Sequence, residues 1–199
     1  MHHTSSPMCK KYQANEKVPD DSFTYIMESV LDLKKDSFKW SRCSIKTLIE
    51  TGTYFGQSTK YFSKNFDQVH TIELSQELHN FAKKLNSKEN IKFYQGDSAE
   101  ILKLIVKELP LKSTFFLDAH ASGGVTVYGE TVSPVKIELG ILANSPHLKD
   151  SLLILDDARG FDGTNSYPTI EEIKSWAKEL NLGKVYSVLD MIIIEPNNN

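Results

Sequence analysis

The sequence predicts an α/β fold, a mostly parallel seven-stranded sheet with helices on both faces and an antiparallel β-hairpin at its C-terminal end. Three observations carry this expectation. From Thr47 onward, short apolar runs alternate with stretches of helical periodicity. The first run is followed by an acid and two spaced glycines, Leu48-Ile49-Glu50-Thr51-Gly52-Thr53-Tyr54-Phe55-Gly56-Gln57-Ser58-Thr59, which reads as strand, tight turn and helix start. The last two runs are separated only by Leu189 and Asp190, too few residues for a crossover helix, so they must pair antiparallel.

Met1 to about Asp20 is polar and aperiodic, so disorder is expected there, with a single domain over residues 21–199. Phe23, Ile26, Met27, Val30 and Leu31 then follow the i, i+3, i+4, i+7, i+8 rule of an amphipathic packing helix. The expected strands are Thr47 to Glu50, Val69 to Leu74, Ile91 to Tyr94, Thr114 to Asp118, Leu152 to Asp156, Val185 to Val188 and Met191 to Glu195. Between the first six lie helices near Gly56 to Lys64, Gln76 to Leu85, Ala99 to Leu109, Pro134 to Asn144 and Ile170 to Leu180. Helix starts are marked by Ser75, by Ser133 before Pro134, and by the capping box of Thr169 and Glu172.

Composition narrows the function classes. A chain of 199 residues is long enough for one well-buried domain and short for two. Its net charge of -3 offers no footprint for nucleic acid, and Lys83, Lys84, Lys88 and Lys92 read as a solvated face. Cys9 and Cys43 give neither a disulfide framework nor zinc-ligand spacing, and read as free thiols in a reducing compartment. No apolar run reaches the roughly 20 residues that span a bilayer, and no signal-peptide core is present. A cytoplasmic protein with no membrane insertion is the expectation.

The glycine-bearing turn lets the backbone take positive φ and lets a ligand approach closely. A dinucleotide loop holds an anionic pyrophosphate against the helix N-terminus, and an acid such as Glu50 in the turn would repel it. The turn therefore suits a ligand carrying positive charge, and a dinucleotide-binding oxidoreductase is disfavoured. Acids recur at the ends of the next strands, Glu73, Asp97 and Asp118. All fall at the C-terminal edge, where open α/β sheets bind ligands. Asp97 has a second reading, since Asp97-Ser98-Ala99-Glu100 also has the form of a capping box.

On these motifs the stretch from Thr47 to Pro196 resembles the class I S-adenosylmethionine-dependent methyltransferases, with their Rossmann-like sheet ending in a hairpin. The family's acid followed by G-x-x-x-G is met by Glu50, Gly52 and Gly56, and its acid after the second strand by Glu73. The resemblance implies a cofactor site of Glu50, Gly52, Thr53, Tyr54, Gly56, Ser58, Thr59, Glu73, Leu74, Asp97, Ser98 and Asp118. In it Glu73 would accept from the ribose hydroxyls and Asp97 from the adenine amino group, while Ser98 presents its backbone N–H.

Two further segments, Phe115-Phe116-Leu117-Asp118-Ala119-His120-Ala121-Ser122-Gly123-Gly124 and Leu153-Ile154-Leu155-Asp156-Asp157-Ala158-Arg159, put carboxylates at neighbouring strand ends. Asp118, Asp156 and Asp157 would converge, and three carboxylates in a small volume repel unless protons or a cation compensate. A divalent Mg2+, Mn2+ or Ca2+ is the economical answer. The pattern resembles the macrocin-type sugar O-methyltransferases, in which such acids hold a metal that binds the acceptor hydroxyls. That family commonly has a second acid where this chain has His120.

The implied reaction is an in-line displacement from a sulfonium with a neutral leaving group, so alignment and a competent nucleophile are what the protein must supply. A sugar hydroxyl benefits from a metal, a base or both. Asp118 and His120 are the catalytic candidates, with His120 read as general base, metal ligand or spectator. His70, His79 and His147 have no acidic company in the sequence and default to structural roles. The glycine-bearing segment Ala121 to Val132, with Ser122, Gly123 and Gly124, reads as a lid over the acceptor. Arg159 and the loop Gly160 to Tyr167 form its other wall, unless Arg159 pairs with a metal-site carboxylate instead. The expected acceptor is a sugar or glycan, such as a deoxyhexose. The alternatives are a catechol-type small-molecule O-methyltransferase and a non-catalytic nucleotide-binding module.

Overall fold

A computed structural model describes residues 45–109, 112–119 and 133–197. The expected N-terminal segment and packing helix, both cysteines, His120 and the loop Ala121 to Val132 lie outside the described residues. Seven strands form one sheet: β1 (Thr47–Thr51), β2 (Gln68–Glu73), β3 (Ile91–Gln95), β4 (Ser113–Leu117), β5 (Leu152–Leu155), β6 (Val185–Val188) and β7 (Met191–Ile194). Among the described residues five α-helices accompany them: α1 (Gln57–Asn65), α2 (Gln76–Leu85), α3 (Ser98–Glu108), α4 (Val135–Ala143) and α5 (Ile170–Glu179).

The strand order is β3-β2-β1-β4-β5-β7-β6. β1 to β5 run parallel, and β7 is inserted antiparallel between β5 and β6. The predicted hairpin turns at Leu189 and Asp190, with Leu189 at φ 52. From β1 the chain proceeds outward to β2 and β3 on one side, then returns to place β4 and β5 on the other. Ends of strands at such a reversal leave a crevice between them, here between β1 and β4.

Alternation along each strand sorts the core onto two faces. Ile49, Ile72, Phe115, Leu117, Leu153, Leu155, Ile192 and Ile194 pack under α3, α4 and α5, against Leu102, Ile105, Leu139, Leu142 and Ile173. Leu48, Val69, Ile91, Phe116, Ile154 and Ile193 pack on the opposite face, where α1 contributes Tyr61 and Phe62. Burying each such side chain contributes about 1.5–3 kcal/mol. Because β1, β4 and β5 are apolar on both faces, their polar residues are confined to their ends, and that confinement places the site.

Caps fix where the helices start. Ser75 Oγ accepts the Leu78 N–H at 3.3 Å, and the Thr169–Glu172 capping box is formed in both directions. At α4 the start is shifted from expectation. Pro134, not Ser133, holds the cap position, while Ser133 Oγ takes the Val135 N–H at 3.4 Å.

Candidate functional site

β1 extends to Thr51, so Glu50 lies inside the strand rather than in the turn, a correction to the sequence reading. Strand alternation sends its side chain to the α1 face. There it is wholly buried, and its Oε2 accepts from Thr59 Oγ1 at 2.5 Å and Thr71 Oγ1 at 2.6 Å, with Ser58 adding a third hydroxyl. Oε1 has no partner. Burial drives the carboxyl up to about 7, against the pull of the three hydroxyls, and the charge of Glu73 adds to the rise. Glu50 is therefore about half protonated near pH 7, where an exposed glutamate is fully ionised.

The turn that follows owes its glycines to the protein itself. Gly52 has φ 85, and a Cβ there would sit 2.3 Å from the Asp118 carbonyl oxygen. Gly56 has φ 76, and its Cβ would meet Asn86 Nδ2 at 2.5 Å. Gly52 thus lets β4 end directly against the turn, and Gly56 lets α1 start against the end of α2. Gly52 and Thr53 both donate N–H bonds to the Ile72 carbonyl, and Thr53 Oγ1 meets Thr71 Oγ1 at 2.5 Å. The Tyr54 N–H, at φ 50, is then turned onto Glu73 Oε2 at 2.8 Å.

Glu73 ends β2 and is 8 % exposed. Its other oxygen, Oε1, accepts the Ser75 N–H at 2.8 Å. Burial raises its pKa, while the backbone N–H bonds and the nearby His79 oppose the rise. His79 therefore does have an acidic neighbour, which corrects the reading from sequence. It comes from α2, whose start folds back over the end of β2, a proximity that spacing alone did not reveal. Leu74 is half-buried and its carbonyl accepts from Gln95 Nε2 at 3.0 Å. Of the other two histidines, buried His70 bonds Tyr94 Oη through Nδ1 at 2.9 Å and has its pKa lowered to about 4 by burial.

At the end of β3, Asp97 realises its capping form: Oδ1 accepts the N–H groups of Ala99 at 2.9 Å and Glu100 at 3.3 Å. Ser98 beside it is buried. Its side chain, with that of Thr51, bonds Glu138 of α4, a wholly buried acid also raised to about 7 by burial. Sequence reasoning missed Glu138, since one acid within Val135-Lys136-Ile137-Glu138-Leu139 reads as the wet side of a helix.

Across the crevice, Asp118 and Asp156 each stand one residue past a strand. Their N–H groups continue the ladder, to the Thr51 carbonyl and the Leu117 carbonyl, both at 3.1 Å. Asp157 takes a left-handed backbone, φ 57 and ψ 51, and its carboxylate meets Arg159 Nη2 at 2.5 Å. The same guanidinium contacts Asp190 of the hairpin turn through Nη1, and the Arg159 N–H donates to Asp190 Oδ1 at 3.0 Å. Arg159 thus pairs with Asp157, one of the three aspartates grouped from the sequence. All three aspartates raise the pKa of Tyr167, although burial is the larger cause, so they do share a neighbourhood. Tyr167 ends the expected wall loop. Its hydroxyl bonds the Ser133 side chain, and its ring packs edge-on against Phe161 at 5.1 Å.

Among the described residues, no group of three or more His, Cys, Asp or Glu side chains is arranged to hold a metal ion. Asp118 and Asp156 supply hard oxygen donors that fit a divalent cation, whereas Asp157 already has a cationic partner in Arg159. His120, Ser122, Gly123 and Gly124 lie outside the described residues. Among the described residues no helix is long and apolar enough to cross a membrane.

No protein-family model matches the chain, and no curated protein does. Solved structures do. A SAM-dependent methyltransferase from Anabaena variabilis is similar at 15% identity and a TM-score of 0.52, over 87% of this chain and 86% of that one. A chain of a fibrillarin/Nop5p complex is similar at 16% identity and a TM-score of 0.51, over 86% and 80%. At these identities the likeness is one of fold alone: a seven-stranded, Rossmann-like sheet, mostly parallel with an antiparallel C-terminal pair.

Proposed function

We propose that the protein is an S-adenosylmethionine-dependent O-methyltransferase whose acceptor is a hydroxyl of a sugar or glycan. The observation that carries this reading is the pair of unlike carboxylate sets on the two sides of the β1–β4 crevice. On the β2–β3 side, Glu73 is held by two backbone N–H groups, and each of its oxygens keeps a lone pair for a ribose hydroxyl. Asp97 commits Oδ1 to its helix, which leaves Oδ2 for the adenine amino group. Ser98 offers its backbone N–H to the base, and the turn from Gly52 to Tyr54 lies along the path of the amino-acid end.

On the β4–β5 side, Asp118 and Asp156 would orient a hydroxyl acceptor and would hold a divalent cation, with Arg159 balancing Asp157. When bound, such a cation supplies Lewis acidity that lowers the acceptor's pKa, and oxygen-rich ligands favour a vicinal diol over an amine. His120, two residues past Asp118, is proposed as the base that receives the acceptor proton. Since the thioether leaves as a neutral group, the chain's own contribution is alignment, which is where rigid strand ends are effective.

The test is methyl uptake from labelled S-adenosylmethionine across a panel of sugars and nucleotide sugars, with Mg2+ or Mn2+ and with excess chelator. Transfer to a polyol that stops in chelator is expected. Full activity in chelator would remove the cation from the account. Transfer only to a catechol would replace the sugar.

A further inference from the structure

Glu138 is the one acid of α4, a helix whose remaining residues are apolar except Lys136. It is 1% exposed, between core residues Val135, Leu139 and Leu142. Packing alone does not call for a carboxyl here, since an apolar side chain of that size fills such a site without the cost of removing a charge from water. Its partners are the hydroxyls of Thr51 and Ser98, and among the described residues Oε1 has none, so both bonds fall on Oε2.

Each partner leads to a different half of the crevice. Thr51 ends β1, and its Oγ1 accepts the Asp118 N–H at 3.3 Å, alongside the Thr51 carbonyl. Ser98 opens α3 next to Asp97, whose charge is also felt by Glu138. Glu138 and Glu50 occupy opposite faces of the same strand end, yet Glu50 reaches only β2 and α1.

We propose that Glu138 is a positioning residue whose carboxyl ties the Asp97–Ser98 corner to the Thr51–Asp118 strand ends, keeping the adenine end of the methyl donor in register with the acceptor-side aspartate. The inference rests on the methyl-donor reading above.

Calorimetry with adenosine and with S-adenosylhomocysteine tests it, on the full chain and on Glu138→Leu, Glu138→Gln, Thr51→Val and Ser98→Ala, each checked for a thermal transition. Folded Glu138→Leu should bind both ligands about tenfold more weakly. Glu138→Gln, whose amide oxygen accepts the same two hydroxyls, should stay within about threefold. Thr51→Val and Ser98→Ala should each weaken binding, and neither should add to the loss in Glu138→Leu, because all three remove one unit. A merely structural role would lower the thermal midpoint and leave the dissociation constants of the folded protein unchanged, and that result overturns the proposal. If Glu138→Leu does not fold, the two hydroxyl variants decide, and unchanged affinity in both overturns it. Wild-type protein that binds neither ligand sinks the methyl-donor reading and this inference with it. Wild-type binding with unchanged variants sinks the inference alone.

Discussion

The acids at the ends of β1 and β2 are buried and held by hydroxyls and backbone N–H groups, whereas those after β4 and β5 are half-exposed and answer to one another, to Arg159 and to Tyr167. Both sets sit at C-terminal strand ends, so topology does not distinguish them. What does is the loop that follows. After β1 and β2 a short turn runs directly into a helix, and N–H groups of both turns fold back onto Glu73. After β5 the chain makes a left-handed bend at Asp157 and clamps the hairpin through Asp190. The first arrangement suits a ligand of fixed shape. The second keeps negative charge available for a partner that brings compensation.

The largest expected effect is at the seam between the two halves. Gly52→Ala would place a Cβ 2.3 Å from the Asp118 carbonyl at a φ of 85. It should cost roughly 4 kcal/mol of stability in chemical denaturation, combining left-handed strain with overpacking. A neutral outcome would mean that β4 does not end against this turn.

Next comes the buried set's dependence on pH. Glu50 has its carboxyl raised from 4.5 to about 7. Between those values the folded chain binds more protons than the unfolded one, so the stability from the neutral acid is present below about pH 4.5 and lost as pH rises to about 7. Wild-type stability should therefore fall relative to Glu50→Gln by about 3 kcal/mol across that window and no further above it. Parallel pH profiles for the two proteins would contradict it.

Asp156→Asn should instead lower kcat at least about 100-fold, roughly 2.7 kcal/mol, with the cofactor dissociation constant within about threefold. A large loss of cofactor affinity would merge the two halves into one. Glu73→Ala makes the opposite cut, weakening cofactor binding by about 1.5–3 kcal/mol, the range for hydrogen bonds to a charged group. An unchanged dissociation constant would show that β2 does not end at the ligand. The smallest effect belongs to Arg159→Ala. Its exposed ion pairs should contribute less than about 1 kcal/mol to stability, whatever it does to acceptor recognition.

Much of this was legible in the sequence, because the fold is encoded in alternation that both faces of the sheet enforce. Strand and helix bounds deviate by single residues, and the hairpin at Leu189 and Asp190 followed from spacing alone. The aspartates after β4 and β5 were visible because apolar runs leave acids only at their ends. Three features were not. Gly52 looked like room for a ligand, but only the parallel pairing of β1 with β4 brings the Asp118 carbonyl to it. Glu138 was not singled out, since nothing local announces that Thr51 and Ser98 will meet it from two other elements. His79 comes within electrostatic reach of Glu73 by the way α2 folds back on β2, a proximity between elements rather than within one.

The central claim is that the strand ends from β1 to β3 form a methyl-donor site. Titration calorimetry of the full chain with S-adenosylmethionine and with NAD tests it most directly. Saturable binding of S-adenosylmethionine, weakened in Glu73→Ala, with no heat from NAD, is the predicted result. Tight binding of NAD with no response to the methyl donor would contradict it.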